Sequence, residues 1–281
     1  MWGIAVGDAI GSRFDFRPPP EPDFELWGEG ARFSDESVCA SAVALWALAG
    51  AQAGARARFL RSICLRWPDA GYGGMFSSWL RDERMGPYGS KGNGCIPRSA
   101  PCAWLFSDRR DALEAARLSA EVTHNDESSF AAVAAYVDVL RALLLGSGKK
   151  EALGLLRAEH PRLLPDLVAW GGEMGGGADG EARGGRSQRH PPRLKEGEAL
   201  LAEPTLKAAF GAFFSTPDVE GAIRAAVLAG PDCDTTAAVA CSLAEACAGS
   251  VGAGNRRRAE SLLPPFLADA FGRVAAGRLS L

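Results

Sequence analysis

Two short acidic clusters in this chain carry more oxygen than a helix start requires. The first is Phe33-Ser34-Asp35-Glu36-Ser37 and the second is Asp232-Cys233-Asp234-Thr235-Thr236. Each stands directly before an apolar stretch, where one side-chain oxygen is enough to cap the free N–H groups of a helix. Adjacent carboxylates repel unless a cation or water screens them. Taken singly, either cluster fits a cap with acids favoured by the helix dipole as well as it fits a metal site. Together they offer six hard oxygen ligands, which suits an octahedral divalent ion or a pair of ions.

Three further segments have polar residues where chemistry could occur. Gly7-Asp8-Ala9-Ile10-Gly11-Ser12-Arg13-Phe14-Asp15 sets two glycines and two carboxylates in an apolar start. Its simplest reading makes Asp8 a helix cap and Asp15 a solvated acid. Gly92-Asn93-Gly94-Cys95-Ile96-Pro97-Arg98, with Tyr72 and Tyr88 upstream, has small residues that let backbone N–H groups approach an anion. G-N-G is also an ordinary turn, and Arg98 could pair with phosphate or with a structural carboxylate. His124-Asn125 follows a predicted helix, and a lone histidine is most often structural.

Most of the chain that must position these residues reads as helix. Asp35–Gly50, Asp108–Val122, Ser128–Leu145 and Lys150–Arg157 have helical spacing, as do Thr205–Phe214, Pro217–Ala229 and Thr235–Ala248. Thr216 is the expected cap of the helix over Pro217–Ala229. A last helix or pair over Asn255–Ala276 is interrupted by Pro264-Pro265. Few stretches alternate as strands do, so the fold is expected to be all-α. Gly71–Cys102 reads as an ordered loop over a site. Gly171–Glu198, Gly-rich and charged, reads as a mobile insertion in a single domain.

Composition excludes several classes. The chain has 281 residues, 47% of them hydrophobic, enough for a sizeable core. A formal net charge of −3 leaves no electrostatic footprint for nucleic acid or a membrane surface. Arg256-Arg257-Arg258 reads as a solvated helix face. Seven cysteines without paired spacing do not form a disulfide framework or a zinc ribbon. No charge-free apolar run reaches membrane-spanning length, and the expectation is a cytoplasmic protein.

In combination and in order, these segments resemble the ADP-ribosylglycohydrolase family, of the dinitrogenase-reductase-activating glycohydrolase type. Gly7–Asp15 is similar to the family's G-D-x-x-G-S-x-x-E, and Phe33–Ser37 to its F-T-D-D-T. Gly71–Leu80 and Gly92–Arg98 resemble G-Y-G-x-x-F-x-x-W-L and G-N-G-x-x-x-R. Ser119–Asn125 resembles S-A-x-V-T-H-N, and Gly230–Thr235 resembles G-G-D-x-D-T. The resemblance implies an orthogonal all-α bundle with one or two Mg²⁺ or Mn²⁺ ions in a cleft. It implies Ser34, Asp35, Glu36, Asp232, Asp234 and Thr235 as the metal shell. Asp15 and Asp35 become the catalytic candidates, Asp15 standing where the family often has a functional Glu. Gly92, Asn93, Gly94 and Cys95 would cradle a pyrophosphate, with Tyr72, Arg98 and His124 completing the substrate site.

The implied activity is metal-dependent hydrolysis of the glycosidic bond between ADP-ribose and a protein side chain or small acceptor. The alternative is a family member that binds ADP-ribose or a protein partner without turnover. It is motivated by departures at Asp15, Glu36, Pro231 and Asp126-Glu127-Ser128. A haloacid-dehalogenase-type phosphatase would also use D-x-D-T-T, but there the first Asp ends a strand, whereas here a predicted helix precedes it.

Overall fold

The computed structural model describes residues 1–18, 20–170 and 191–277. Fourteen α-helices and no strand are present among them. The first half contains α1 (Trp2–Gly11), α2 (Asp35–Leu48), α3 (Arg56–Cys64), α4 (Gly74–Arg81), α5 (Ala100–Leu105), α6 (Arg109–Glu121), α7 (Glu127–Leu144) and α8 (Lys149–Glu159). The second contains α9 (Glu196–Ala199), α10 (Ala202–Ser215), α11 (Val219–Ala229), α12 (Cys233–Ala248), α13 (Ala253–Leu262) and α14 (Pro265–Ala276).

α1 and α12 form the centre. Every residue of α1 is buried, as is α12 from Cys233 to Ala246. A helix apolar on all sides has no face for water and must be enclosed. The two run antiparallel and nearly touch backbone to backbone. A Cβ added at Gly3, Gly7 or Gly11 would lie 2.6, 2.2 or 2.4 Å from the carbonyl oxygens of Cys241, Ala237 and Cys233. Glycine at every fourth position of α1 is therefore what lets the helices meet. α11, α10, α7 and α2 pack around α12, and α13 packs on α1.

The structure revises several local expectations. Gly71–Cys102, expected as loop, contains α4, because Trp79 and Leu80 give it a buried face. Asp218, rather than Thr216, caps α11: its carboxylate accepts from Gly221 N at 2.8 Å. Thr216 Oγ1 instead bonds back to Ala212 O at the end of α10. Of the Gly-rich segment, residues 171–190 lie outside the described residues, and its final part enters α9. Arg256, Arg257 and Arg258 lie exposed on α13, as a solvated face does. No described helix is long and apolar enough to cross a membrane.

Candidate active site

α1 and α12 cap each other, and this places the first carboxylates. Glu245, near the end of α12, accepts from the N–H groups of Trp2 (3.0 Å) and Gly3 (2.7 Å) at the start of α1. Asp15, just past the end of α1, accepts from Cys233 N (3.0 Å) and Asp234 N (2.9 Å) at the start of α12. Acids are favoured at both places because each helix start presents unpaired donors and positive potential. With Asp15 capping α12, the N-cap residue Asp232 makes no side-chain cap, while Asp234 Oδ1 accepts from the first-turn N–H of Thr235 at 2.6 Å. Asp15, Asp232 and Asp234 each bring an oxygen within 4.8 Å of the others.

The start of α2 is held against this trio. Asp8, fully buried in α1, accepts from Ser34 N (3.0 Å) and Ser37 N (3.1 Å), and from the Ser37 hydroxyl. Asp8 is thus a tether for the second loop rather than the cap of its own helix, and Asp15 is a distant cap rather than a solvated acid. Ser34 caps α2 by accepting from Glu36 N. Glu36 Oε1 accepts from Thr235 Oγ1 at 2.6 Å, joining the two acid clusters side chain to side chain. Thr235 Oγ1 also lies 3.2 Å from Asp232 Oδ1.

Asp35, grouped with Asp232 and Asp234 from the sequence, lies outside the close trio. Its N–H is bound to Ala70 O, and its Oδ1 turns toward Gly71. It lines the same cleft, of about 580 Å³, with Asp15, Ser34, Glu36, Asp232, Asp234 and Thr235.

Burial, then repulsion from Asp234, pushes the Asp15 carboxyl up to about 9 and that of Asp8 to about 7. Asp35, Glu36 and Asp232 are pushed well above the carboxylate range, by burial first and by neighbouring acids second. Hard oxygen donors crowded in this way fit a divalent cation, whose charge relieves the repulsion.

The Gly92–Arg98 loop closes another wall. Gly92 and Leu201 form an isolated antiparallel bridge. Asn93 Nδ2 donates to Asp232 Oδ2 at 2.7 Å and to Ala199 O at 2.8 Å, so it orients an acid of the trio. Gly92, Gly94 and the buried His124 line the cleft. Burial and the nearby Arg98 hold the His124 imidazole well below its usual range. That favours the uncharged ring, whose Nδ1 lies 2.7 Å from Thr123 Oγ1.

A family model described as ADP-ribosylglycohydrolase matches residues 1–252. The chain belongs to the ADP-ribosylglycohydrolase family. A solved structure described as an ADP-ribosylglycohydrolase-related protein complex is 25% identical, with a TM-score of 0.66. The match covers 97% of this chain and 95% of that one. No curated protein matches. The all-α architecture is that of the ADP-ribosylglycohydrolase fold, and members of the family are generally metal-dependent.

Against the pattern expected of an ADP-ribosylglycohydrolase, some site candidates fall elsewhere. Tyr72 does not line the cleft; its hydroxyl donates to Cys64 O at 3.1 Å. Cys95 is fully buried behind the loop, with its thiol 3.6 Å from Gly92 O. Arg98 reaches the cleft wall, but its Nη2 donates to Ser119 O, Ala120 O and Thr123 Oγ1, closing the end of α6. Phe16, Arg32, Met75, Phe76 and Leu200 line the cleft without having been singled out from the sequence. Phe76 lies inside the quoted G-Y-G-x-x-F segment, which was a usable signal. Phe16 and Leu200 had none, because their place depends on contacts with Pro231 and with the Gly92 loop.

Proposed function

We propose that the protein is a metal-dependent hydrolase that cleaves the glycosidic bond between ADP-ribose and a protein side chain or small acceptor. The observation that carries this reading is the Asp15–Asp232–Asp234 trio on the wall of a cleft large enough for a nucleotide-sugar. Ser34, Asp35, Glu36 and Thr235 complete the oxygen-rich wall and, with the trio, would hold one or two ions. A bound Mg²⁺ or Mn²⁺ would supply Lewis acidity and lower the pKa of a coordinated water.

The chain's own residues do the rest. Asn93 and Thr235 fix Asp232, and Asp15 is locked in place by the N-terminus of α12. Asp15 or Asp35 would take the proton from the attacking water. His124, in its favoured uncharged form, offers a hydrogen-bonding partner that adds no charge. The backbone of Gly92 and Gly94 would meet the pyrophosphate, where the absence of side chains permits close approach.

The reading is tested by ADP-ribose release from arginine- and serine-linked ADP-ribosyl peptides with Mg²⁺, with Mn²⁺ and with chelator. Chelator-sensitive release is expected. Binding of ADP-ribose by calorimetry without release would favour the second reading, a binding protein. That reading is supported by the engagement of Asp15 as a helix cap, which restrains it from moving a proton.

A further inference from the structure

Phe16 is unfavourable on two counts. Its backbone lies at φ 52°, in the left-handed region that an aromatic residue rarely adopts. The residue is 54% exposed and lines the cleft wall. Glycine would make the same turn without strain. Among the described residues the ring joins no aromatic pair and no cation–π contact.

Its stem is nonetheless rigid. Phe16 N donates to Pro231 O at 2.7 Å, and the preceding carboxylate is tied to the start of α12. The ring is thus held one residue from the acid trio. Strain kept beside a cleft points to use by a ligand. Met75 (56% exposed) and Leu200 (46%) line the same cleft, so the wall offers flat apolar contact. On the hydrolase reading the scissile bond lies against the carboxylates, which sets the departing group on the stretch of wall that Phe16 shares with Asp15.

We propose that Phe16 is a stacking platform for a planar, nitrogen-linked leaving group, an arginine guanidinium or a nucleobase, and selects such conjugates over serine-linked ones. This rests on the hydrolase reading above. In the reaction the C–N bond at the anomeric carbon breaks and the water oxygen bonds to that carbon. One water proton stays on the new hydroxyl; the other ends on the departing guanidine nitrogen, or goes to a cleft carboxylate and then solvent when a pyridinium nitrogen takes the bond's electrons and leaves neutral. Planar guanidinium and base groups stack on an aromatic face, whereas a serine oxygen presents no plane.

The test measures kcat and KM for ADP-ribose linked through arginine, through nicotinamide and through serine, in the wild type, Phe16→Gly and Phe16→Trp, with the Tm of each. The wild type is expected to prefer a nitrogen-linked conjugate, and the arginine and nicotinamide arms tell guanidinium from base. The ratio of nitrogen-linked to serine-linked kcat/KM should fall about 10-fold in Phe16→Gly, mostly through KM, and hold in Phe16→Trp. The Tm of Phe16→Gly should hold or rise as strain is relieved. An unchanged ratio overturns the platform. So does an equal fall for every linkage with a lower Tm, or a wild type that cleaves serine conjugates alone. No release from any conjugate would sink the hydrolase reading itself, and the platform with it.

Discussion

At Asp15 one carboxylate both caps α12 and completes the acid trio, and substitution separates the two duties. Asp15→Asn keeps an oxygen for the two N–H donors and removes the charge that burial disfavours. Its metal-free Tm at pH 8 should equal or exceed that of the wild type, while metal-stimulated turnover falls by ~10²-fold or more. Asp15→Ala loses the cap as well, about 1 kcal/mol, and should melt a few degrees below the Asn variant. Identical melting of the two variants would show that the cap contributes nothing. Asp234→Asn should abolish metal stimulation while leaving the far-ultraviolet circular dichroism unchanged. Retained stimulation would remove Asp234 from the metal shell.

At the scale of elements, the α1–α12 contact depends on bare backbone. Gly7→Ala would force a Cβ to within 2.2 Å of Ala237 O. Overpacking of this kind should destabilise by ~1–3 kcal/mol or more, read as a lower Tm. Gly154, inside α8 with nothing near an added Cβ, is the control. Gly154→Ala should stabilise by up to ~1 kcal/mol through helix propensity. These two glycines also mark what the sequence reveals. α2, α6, α7 and α12 were legible because a cap residue precedes an apolar run of helical spacing. α1 was not, because three glycines in ten residues argue against a helix until its partner is known. The acid clusters were legible as ligand chemistry, whereas the capping role of Asp15 depends on a partner 218 residues away. Tyr72 and Cys95 sit in recognisable motifs, and only packing shows that their side chains face away from the cleft.

For the whole molecule, the buried acids should make stability depend on pH, and on metal if the trio holds an ion. The folded pKa of Asp8 is about 7 and that of Asp15 about 9, both raised from 3.8. A group raised on folding contributes stability at low pH that is lost as pH rises through its folded value. The metal-free protein should therefore melt progressively lower from pH 5 to pH 9. Added Mn²⁺ or Mg²⁺ should raise Tm, and more at pH 8 than at pH 5. Differential scanning calorimetry checks this; a metal shift independent of pH would mean that these acids are not the binding groups. The pairing of α1 with α12 also has a consequence for biosynthesis. Translation at ~5–20 residues per second leaves on the order of tens of seconds between the emergence of Asp15 and that of its partners. Throughout that interval α1 can dock only on the early-emerging α2, and its glycine face stays uncovered until α12 arrives. The acid trio comes together only after Asp232 and Asp234 have emerged, so an ion held by it would bind after that point rather than as the first helix folds.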